Sequence, residues 1–287
     1  MKLITYQTVA EFLAVAKGPL MREEARNNLI LGIAGRLNDG ITYGEPPPYF
    51  LTVELDGEFA AAAIRTPPHP LILHCEKNLP GVIQAIHDHL AAADPSLPGV
   101  NGEPNVAAGF AELWTASLGQ QAIIDVHLRI YVLEEVSMPA GVPGRMRRAS
   151  GEDLDVLAEW VGGFFAEAAP NDPPRDQKET VNRFMNSGTL VVWDDGGPVS
   201  MAGSSRGTDN GATVSLVYTP PEHRGQGYGS ACTASLSQLL LDRGYSFCTL
   251  YTDLENPTSN KVYQRIGYRR ICDATSYRFE GTGQQHL

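Results

Sequence analysis

The hydrophobic and polar positions of this chain predict two successive runs of similar elements. In the second half, Arg145 to Arg148 reads as a short strand. A helix is expected from Gly151 to Ala168, with Leu154, Leu157, Val161, Phe164 and Phe165 on its apolar face. Asp176 to Asn186 reads as a second helix, and Leu190–Trp193 and Val199–Ser205 as a hairpin turning at Asp194-Asp195-Gly196-Gly197. A β-branched run from Thr213 to Thr219 leads through Pro220-Pro221 and a glycine-rich stretch into a helix from Tyr228 to Arg243. Phe247 to Asp253 is a further strand. The next helix starts at Pro257 with Asn256 as N-cap and ends at Gly267, and Tyr268 to Phe279 is the last β region.

The first half repeats this order. A short strand precedes helices over Val9–Ala16 and Pro19–Leu37, with Pro19 opening the second of them. Phe50–Leu55 and Ala60–Arg65 form a hairpin at Asp56-Gly57; Leu71–His74 is a strand, and Gly81–Ala92 and Val106–Leu118 are helices. Each half then carries a glycine, an aspartate six residues on and a later tyrosine: Gly119, Asp125 and Tyr131, against Gly267, Asp273 and Tyr277. A repeat of this length implies two domains of one ancestry, 1–140 and 141–287, divided at the Pro- and Gly-rich Met138–Gly144.

Composition narrows the class. The 287 residues are 43% hydrophobic and 19% charged, which suits a packed chain rather than a disordered one. A net charge of −11 argues against a general nucleic-acid binder and is compatible with a cationic partner. No apolar run reaches the ~18 residues of a membrane span, and Met1–Phe12 lacks the apolar stretch of a secretion signal. With Cys75, Cys232, Cys248 and Cys272 in apolar settings and no paired spacing, the expectation is a cytoplasmic protein with reduced core thiols and no metal. His87 and His89 fall on different helix faces, so that segment reads as a solvated face. Pro46-Pro47-Pro48 and Pro67–Pro70 read as loops, and Gly281–Leu287 as a disordered tail.

The chemistry concentrates in residues 217–230, Val-Tyr-Thr-Pro-Pro-Glu-His-Arg-Gly-Gln-Gly-Tyr-Gly-Ser. Gly225, Gly227 and Gly229 let the backbone turn tightly and leave its N–H groups uncovered, directly before a helix N-terminus. Open N–H groups and the positive end of a helix make a site for phosphate or pyrophosphate, to which Arg224 adds a charge. The spacing G-x-G-x-G differs from the dinucleotide fingerprint, and no lysine follows as a Walker loop requires.

This segment resembles the acetyl-CoA loop of the GNAT superfamily of N-acyltransferases, [QR]-x-x-G-x-[GA], with Arg224, Gly227 and Gly229 at its fixed positions. Residues 256–268 resemble the family's later unit, N-x-x-[AS]-x-x-x-Y-x-x-x-G-[FY], through Asn256, Ser259, Tyr263, Gly267 and Tyr268. The resemblance covers roughly the last 140 residues. It implies an α+β, three-layer fold: two GNAT-like domains, each a mixed, mostly antiparallel twisted sheet flanked by helices. In the first of them His74-Cys75-Glu76-Lys77-Asn78-Leu79-Pro80-Gly81 has no arginine, and Thr115 stands where the second has Tyr263. The first domain is therefore expected to have lost acetyl-CoA binding.

What the resemblance implies for the site follows residue by residue. Val217, Tyr218 and Thr219 would align the pantetheine arm and hold the thioester oxygen; Arg224, Gly225, Gln226, Gly227, Tyr228, Gly229 and Ser230 would hold the pyrophosphate. Asn256 would touch the pantetheine, cap its helix, or do both at once. Tyr263 is the candidate general acid. Asp253 is preferred as base over Glu222, His223 and Glu255, with a water chain as the alternative. The implied activity is transfer of an acetyl group from acetyl-CoA to a primary amine, small-molecule or peptide, by direct attack in a ternary complex. A non-catalytic acyl-CoA-binding regulator and a tandem acyltransferase like the mycothiol synthases are the alternatives. No nucleic-acid or membrane partner is expected, and a homodimer stays open.

Overall fold

Each half of the chain folds through the succession β-α-α-β-β-β-α-β-α-β. In the first half these are β1 Lys2–Tyr6, α1 Val9–Met21, α2 Asn28–Asn38, β2 Tyr49–Leu55, β3 Glu58–Arg65, β4 Leu71–Cys75, α3 Pro80–Ala93, β5 Gly99–Gly102, α4 Pro104–Leu118 and β6 Gln120–Leu133. In the second they are β7 Arg145–Arg148, α5 Leu154–Ala168, α6 Gln177–Asn186, β8 Leu190–Asp194, β9 Pro198–Gly207, β10 Gly211–Tyr218, α7 Tyr228–Asp242, β11 Phe247–Asp253, α8 Pro257–Arg265 and β12 Arg269–Gly281. The computed structural model describes residues 1–42, 46–76, 80–171 and 174–281. Of the tail expected from Gly281, Gly281 itself ends β12, and the rest lies outside them, as does the middle of the first-half loop, 77–79.

Local chemistry sets many of these boundaries. Thr8 caps α1 by accepting from the Glu11 N–H, while the Glu11 carboxylate accepts from the Thr8 N–H. Asp56 and Gly57 both have positive φ, 55° and 84°, the geometry of a two-residue hairpin turn. Pro19 does not open a second helix as expected, but lies inside α1. Phe12, Ala16 and Leu20 continue one buried stripe through that turn, each fully buried, and their packing outweighs the hydrogen bond that proline cannot donate.

Two compact units result: Met1–Arg129 with the segment from Cys272 onward, and Ile130–Ile271. The first has strand order β1-β2-β3-β4-β5-β12, with β4 and β5 parallel and the other neighbours antiparallel. The second runs β6-β11-β10-β9-β8-β7, with β10 and β11 parallel and β7, β8, β9 and β10 antiparallel in turn. Alternation along the strands buries both faces of each sheet. Ala61 and Ala63 join one cluster, with α3 and α4, while Ala62 and Ile64 join another, with α1 and α2. Val191 and Trp193 pack with α7 and α8, and Leu190 and Val192 with α5 and α6. Each unit is thus a mixed, mostly antiparallel sheet between two helical layers.

The expected division into 1–140 and 141–287 differs from this partition at the last strand of each half. From Cys272, β12 belongs to the first unit, where Thr275 to Arg278 pair antiparallel with β5; from Ile130, β6 belongs to the second. The reason is steric as well as topological. A Cβ on Gly99 would stand 2.0 Å from the Tyr277 carbonyl oxygen, so the glycine lets β12 close on β5. The segment Met138–Gly144 is likewise no free linker. Trp193 Nε1 donates to the Pro143 carbonyl at 2.7 Å, and Gly144 (φ +90°) lies where a Cβ would meet the Asp194 carbonyl oxygen at 2.4 Å. Nor is His87 on a solvated face: it is buried against Phe110 and Trp114, with Nε2 2.7 Å from Ser117 Oγ.

Candidate active site

The site in the second unit begins where two parallel strands part. β10 and β11 pair at Gly211–Phe247, Ala212–Cys248 and Thr213–Thr249, and no further pairs follow. Beyond Thr213 the two strands therefore turn unpaired edges toward a gap that a ligand's amide groups can fill. On its other side β10 is bulged against β9 between Ser215 and Tyr218. Leu216 sits in that bulge with φ +48°, a left-handed conformation that costs a leucine about 1–2 kcal/mol. Its side chain is buried with Leu157, Val161 and Met201, which holds the strain in place and keeps Val217 out of register.

The loop after β10 is fixed at both ends. The Thr219 hydroxyl lies 2.9 Å from Ser200 Oγ, and Ser200 donates to the Tyr218 carbonyl at 3.1 Å. Gly229 packs so close beneath Thr219 that a Cβ there would stand 2.9 Å from Thr219 Oγ1. Gly225 and Gly227 have φ of +80° and +89°, and Gly227 is the N-cap of α7, with Val142 against it. Among the described residues, none of the N–H groups of Gly225, Gln226, Gly227, Tyr228, Gly229 and Ser230 donates to a protein acceptor. Six successive open donors at the positive end of a fifteen-residue helix form an anion cradle. Arg224 borders it, donating from Nε to the Thr219 carbonyl and from Nη2 to Glu167. Tyr228 is turned away from the cradle: its ring is buried and its hydroxyl donates to Asp195 Oδ2 at 2.6 Å.

The second motif lies on α8 and the end of β11. Asn256 caps α8, accepting from the Ser259 N–H at 3.0 Å, the capping part of its expected role. Asp253 is exposed at the end of β11, and its Oδ1 accepts from the Glu255 N–H at 2.8 Å. Tyr263 is buried between the rings of Tyr131 and Tyr268, at 6.5 and 6.0 Å. The outer two hydroxyls are held, Tyr131 by Asn260 and Tyr268 by Ser237, whereas the Tyr263 hydroxyl has no protein partner among the described residues. Burial pushes the Tyr263 phenol up to about 12. The second unit thus gathers an anion cradle, an open strand edge and a buried phenol that stays protonated at neutral pH.

Sequence reasoning missed Glu167, Ser200, Tyr131 and Asn260, which hold this arrangement from α5, β9, β6 and α8. Of these only Tyr131 carried a sequence signal, its place in the internal repeat. In the first unit β4 and β5 part in the same manner after Leu73–Gly102, but His74 and Cys75 follow, and no arginine stands there. Among the described residues, no group of His, Cys, Asp and Glu could hold a metal ion, and no helix is long and apolar enough to cross a membrane.

Residues 154–268 match the family model described as Acetyltransferase (GNAT) family. A thialysine N-epsilon-acetyltransferase of Sus scrofa is 34% identical over 74 residues, 25% of this chain and 44% of that protein. A mycothiol acetyltransferase of Clavibacter sepedonicus is 26% identical over 156 residues, 51% of this chain and 49% of that one. The chain thus spans about half the length of the curated relatives it matches. A solved tandem GNAT protein from the clavulanic acid biosynthesis pathway superposes with a TM-score of 0.55 over 99% of both chains. Its sequence identity of 14% makes that a likeness of fold alone.

Proposed function

The chain carries a GNAT-family acetyltransferase domain, and on that premise we propose that it moves an acetyl group from acetyl-CoA to a primary amine by direct attack in a ternary complex. The observation that carries this reading is the run of open N–H groups from Gly225 to Ser230, at the end of the strand that parts from its neighbour. The cradle takes the pyrophosphate of the coenzyme and Arg224 adds positive charge at its rim. The open edge of β10 at Val217, Tyr218 and Thr219 takes the amides of the pantetheine arm, with Asn256 beside it. A backbone N–H near Val217 stabilises the oxyanion of the tetrahedral state.

In the reaction the neutral amine nitrogen bonds to the thioester carbon. As the tetrahedral state collapses the carbon–sulfur bond breaks and its electron pair leaves on sulfur. Tyr263, protonated at neutral pH as any phenol is, supplies the proton that converts the thiolate to thiol. Asp253, exposed at the end of β11, takes the amine proton through water. The net charge of −11 favours a cationic acceptor. The first unit, without an arginine loop, serves structure rather than coenzyme binding. The match to a mycothiol acetyltransferase makes the amine of a thiol precursor the second acceptor class to test.

A screen of primary amines for acetyl-CoA-dependent thiol release tests the reading. With an accepted amine, Tyr263→Phe should lower kcat about 10²–10⁴-fold and leave acetyl-CoA affinity unchanged. Coenzyme binding without thiol release from any amine would favour the regulatory alternative. Wild-type turnover in Tyr263→Phe would remove Tyr263 as the acid.

A further inference from the structure

We propose that Tyr131, contributed by the last strand of the first half of the chain, is a positioning residue that fixes α8 so that Tyr263 meets the departing sulfur. The inference rests on the role of Tyr263 given above and extends the site to a segment that neither motif contains.

Four observations support it. The Tyr131 hydroxyl donates to Asn260 Oδ1 at 2.9 Å and accepts from Gln264 Nε2 at 3.3 Å, so it grips α8 at two positions one turn apart, on either side of Tyr263. Asn260 passes the grip on: its Nδ2 donates to the Asn256 carbonyl at 2.7 Å and to the Asp253 carbonyl at 3.0 Å, tying α8 to the end of β11. The Tyr131 ring, fully buried, lies 6.5 Å from that of Tyr263 at 57°. Finally, the apolar stripe of α8 is narrow. Tyr263 is its one buried residue, Val262 packs partly against the core, and Ile266 follows at the C-cap.

A nine-residue helix held by so narrow a stripe gains precision from a further anchor. Proton transfer demands placement within a fraction of an ångström, and a displacement near 1 Å can cost about 100-fold in rate. Tyr131 supplies the anchor through hydrogen bonds that leave the Tyr263 hydroxyl open for the substrate. The repeat assigns this tyrosine to the first half, yet the β6 segment that bears it folds within the second unit. On this account the first half of the chain contributes to catalysis through one strand.

The test uses the full chain and an acceptor found in the amine screen, with Tyr131→Phe measured both alone and combined with Tyr263→Phe. Alone, with Tyr263 intact, it should lower kcat about tenfold, the weight of a lost buried hydrogen bond and a loosened helix, with acetyl-CoA Kd within about twofold of wild type. Added to Tyr263→Phe, the same change should cost nothing further, because there is no phenol left to place. Gln264→Met, which removes one contact without opening the core, should give a smaller loss in the same direction and serves if Tyr131→Phe folds poorly. Wild-type kcat in Tyr131→Phe alongside an inactive Tyr263→Phe would overturn the positioning role and leave the proposed function standing. Equal losses with and without Tyr263→Phe would make Tyr131 merely structural. Full turnover in Tyr263→Phe would end both ideas together.

Discussion

Arg224 Nη2 stands 2.7 and 3.0 Å from the two carboxylate oxygens of Glu167, while its Nε donates to the Thr219 carbonyl at 2.9 Å. The side chain that the motif points toward a pyrophosphate is thus shared with a carboxylate at the end of α5. Both partners are about half exposed, so the pair contributes about 0.2–1 kcal/mol and weakens with salt. Glu167→Gln should release the charge to the coenzyme and tighten acetyl-CoA binding by up to about fivefold at low salt. Arg224→Ala should weaken it by about 1.5–3 kcal/mol. Calorimetric titrations at two ionic strengths check both signs, and weaker binding in Glu167→Gln would mean that the carboxylate holds Arg224 in its working pose.

Alkaline pH should destabilise the fold through buried thiols. Burial raises Cys75, Cys232 and Cys248 from 9.0 to about 12. In the unfolded chain these thiols ionise near 9, but in the folded chain they stay neutral. Their contribution is therefore complete below about pH 9 and is lost as pH rises toward 12. Denaturant titrations from pH 8 to 11 should show this fall, and Cys232→Ala should flatten it while lowering stability at pH 8. Invariant stability across that range would contradict the burial of these thiols.

Phe279, near the C-terminal end of the chain, should matter to the first unit rather than the second. Its ring packs 5.6 Å from Trp114 and 6.5 Å from Phe110, both fully buried on α4. Phe279→Ala should cost about 3–5 kcal/mol in that unit. Hydrogen exchange should locate the loss in α3 and α4 and leave α7 protected. Loosening of α7 instead would place β12 in the wrong unit.

The sequence carried those parts of the fold that local chemistry decides. Gly225 and Gly227 need positive φ, Asn256 caps its helix, and Asp56-Gly57 turns its hairpin, so the loop, α8 and β2–β3 were all legible. β5 was not, because Gly99-Val100-Asn101-Gly102 has neither length nor alternation; its glycines are there for the close approach of Leu73 and Tyr277. The exchange of last strands was equally hidden. The alternation of Thr275 to Phe279 reads the same whichever sheet receives it, and only the long-range pairing with β5 decides. Tyr131 was visible as a repeated tyrosine, but its grip on Asn260 and Gln264 spans more than 125 residues of chain. The expected unit 141–287 differs from the observed one on the same ground, since it omits the Ile130–Leu133 segment of β6, with Tyr131 and Leu133 in the core.

The most direct measurement is calorimetric titration of acetyl-CoA into the full chain and into its Gly227→Asp variant. Gly227 has φ +89° and its Cβ position lies 3.0 Å from Val142, so aspartate strains the turn and sets a negative charge among the open N–H groups. A melting curve taken alongside should keep one cooperative transition, which separates loss of binding from loss of fold. The account predicts one coenzyme per chain for the wild type, with no metal added, and at least about 100-fold weaker binding for the variant. Equal affinity in a folded Gly227→Asp protein would place the coenzyme elsewhere and contradict the assignment of Gly225 to Ser230 as its cradle.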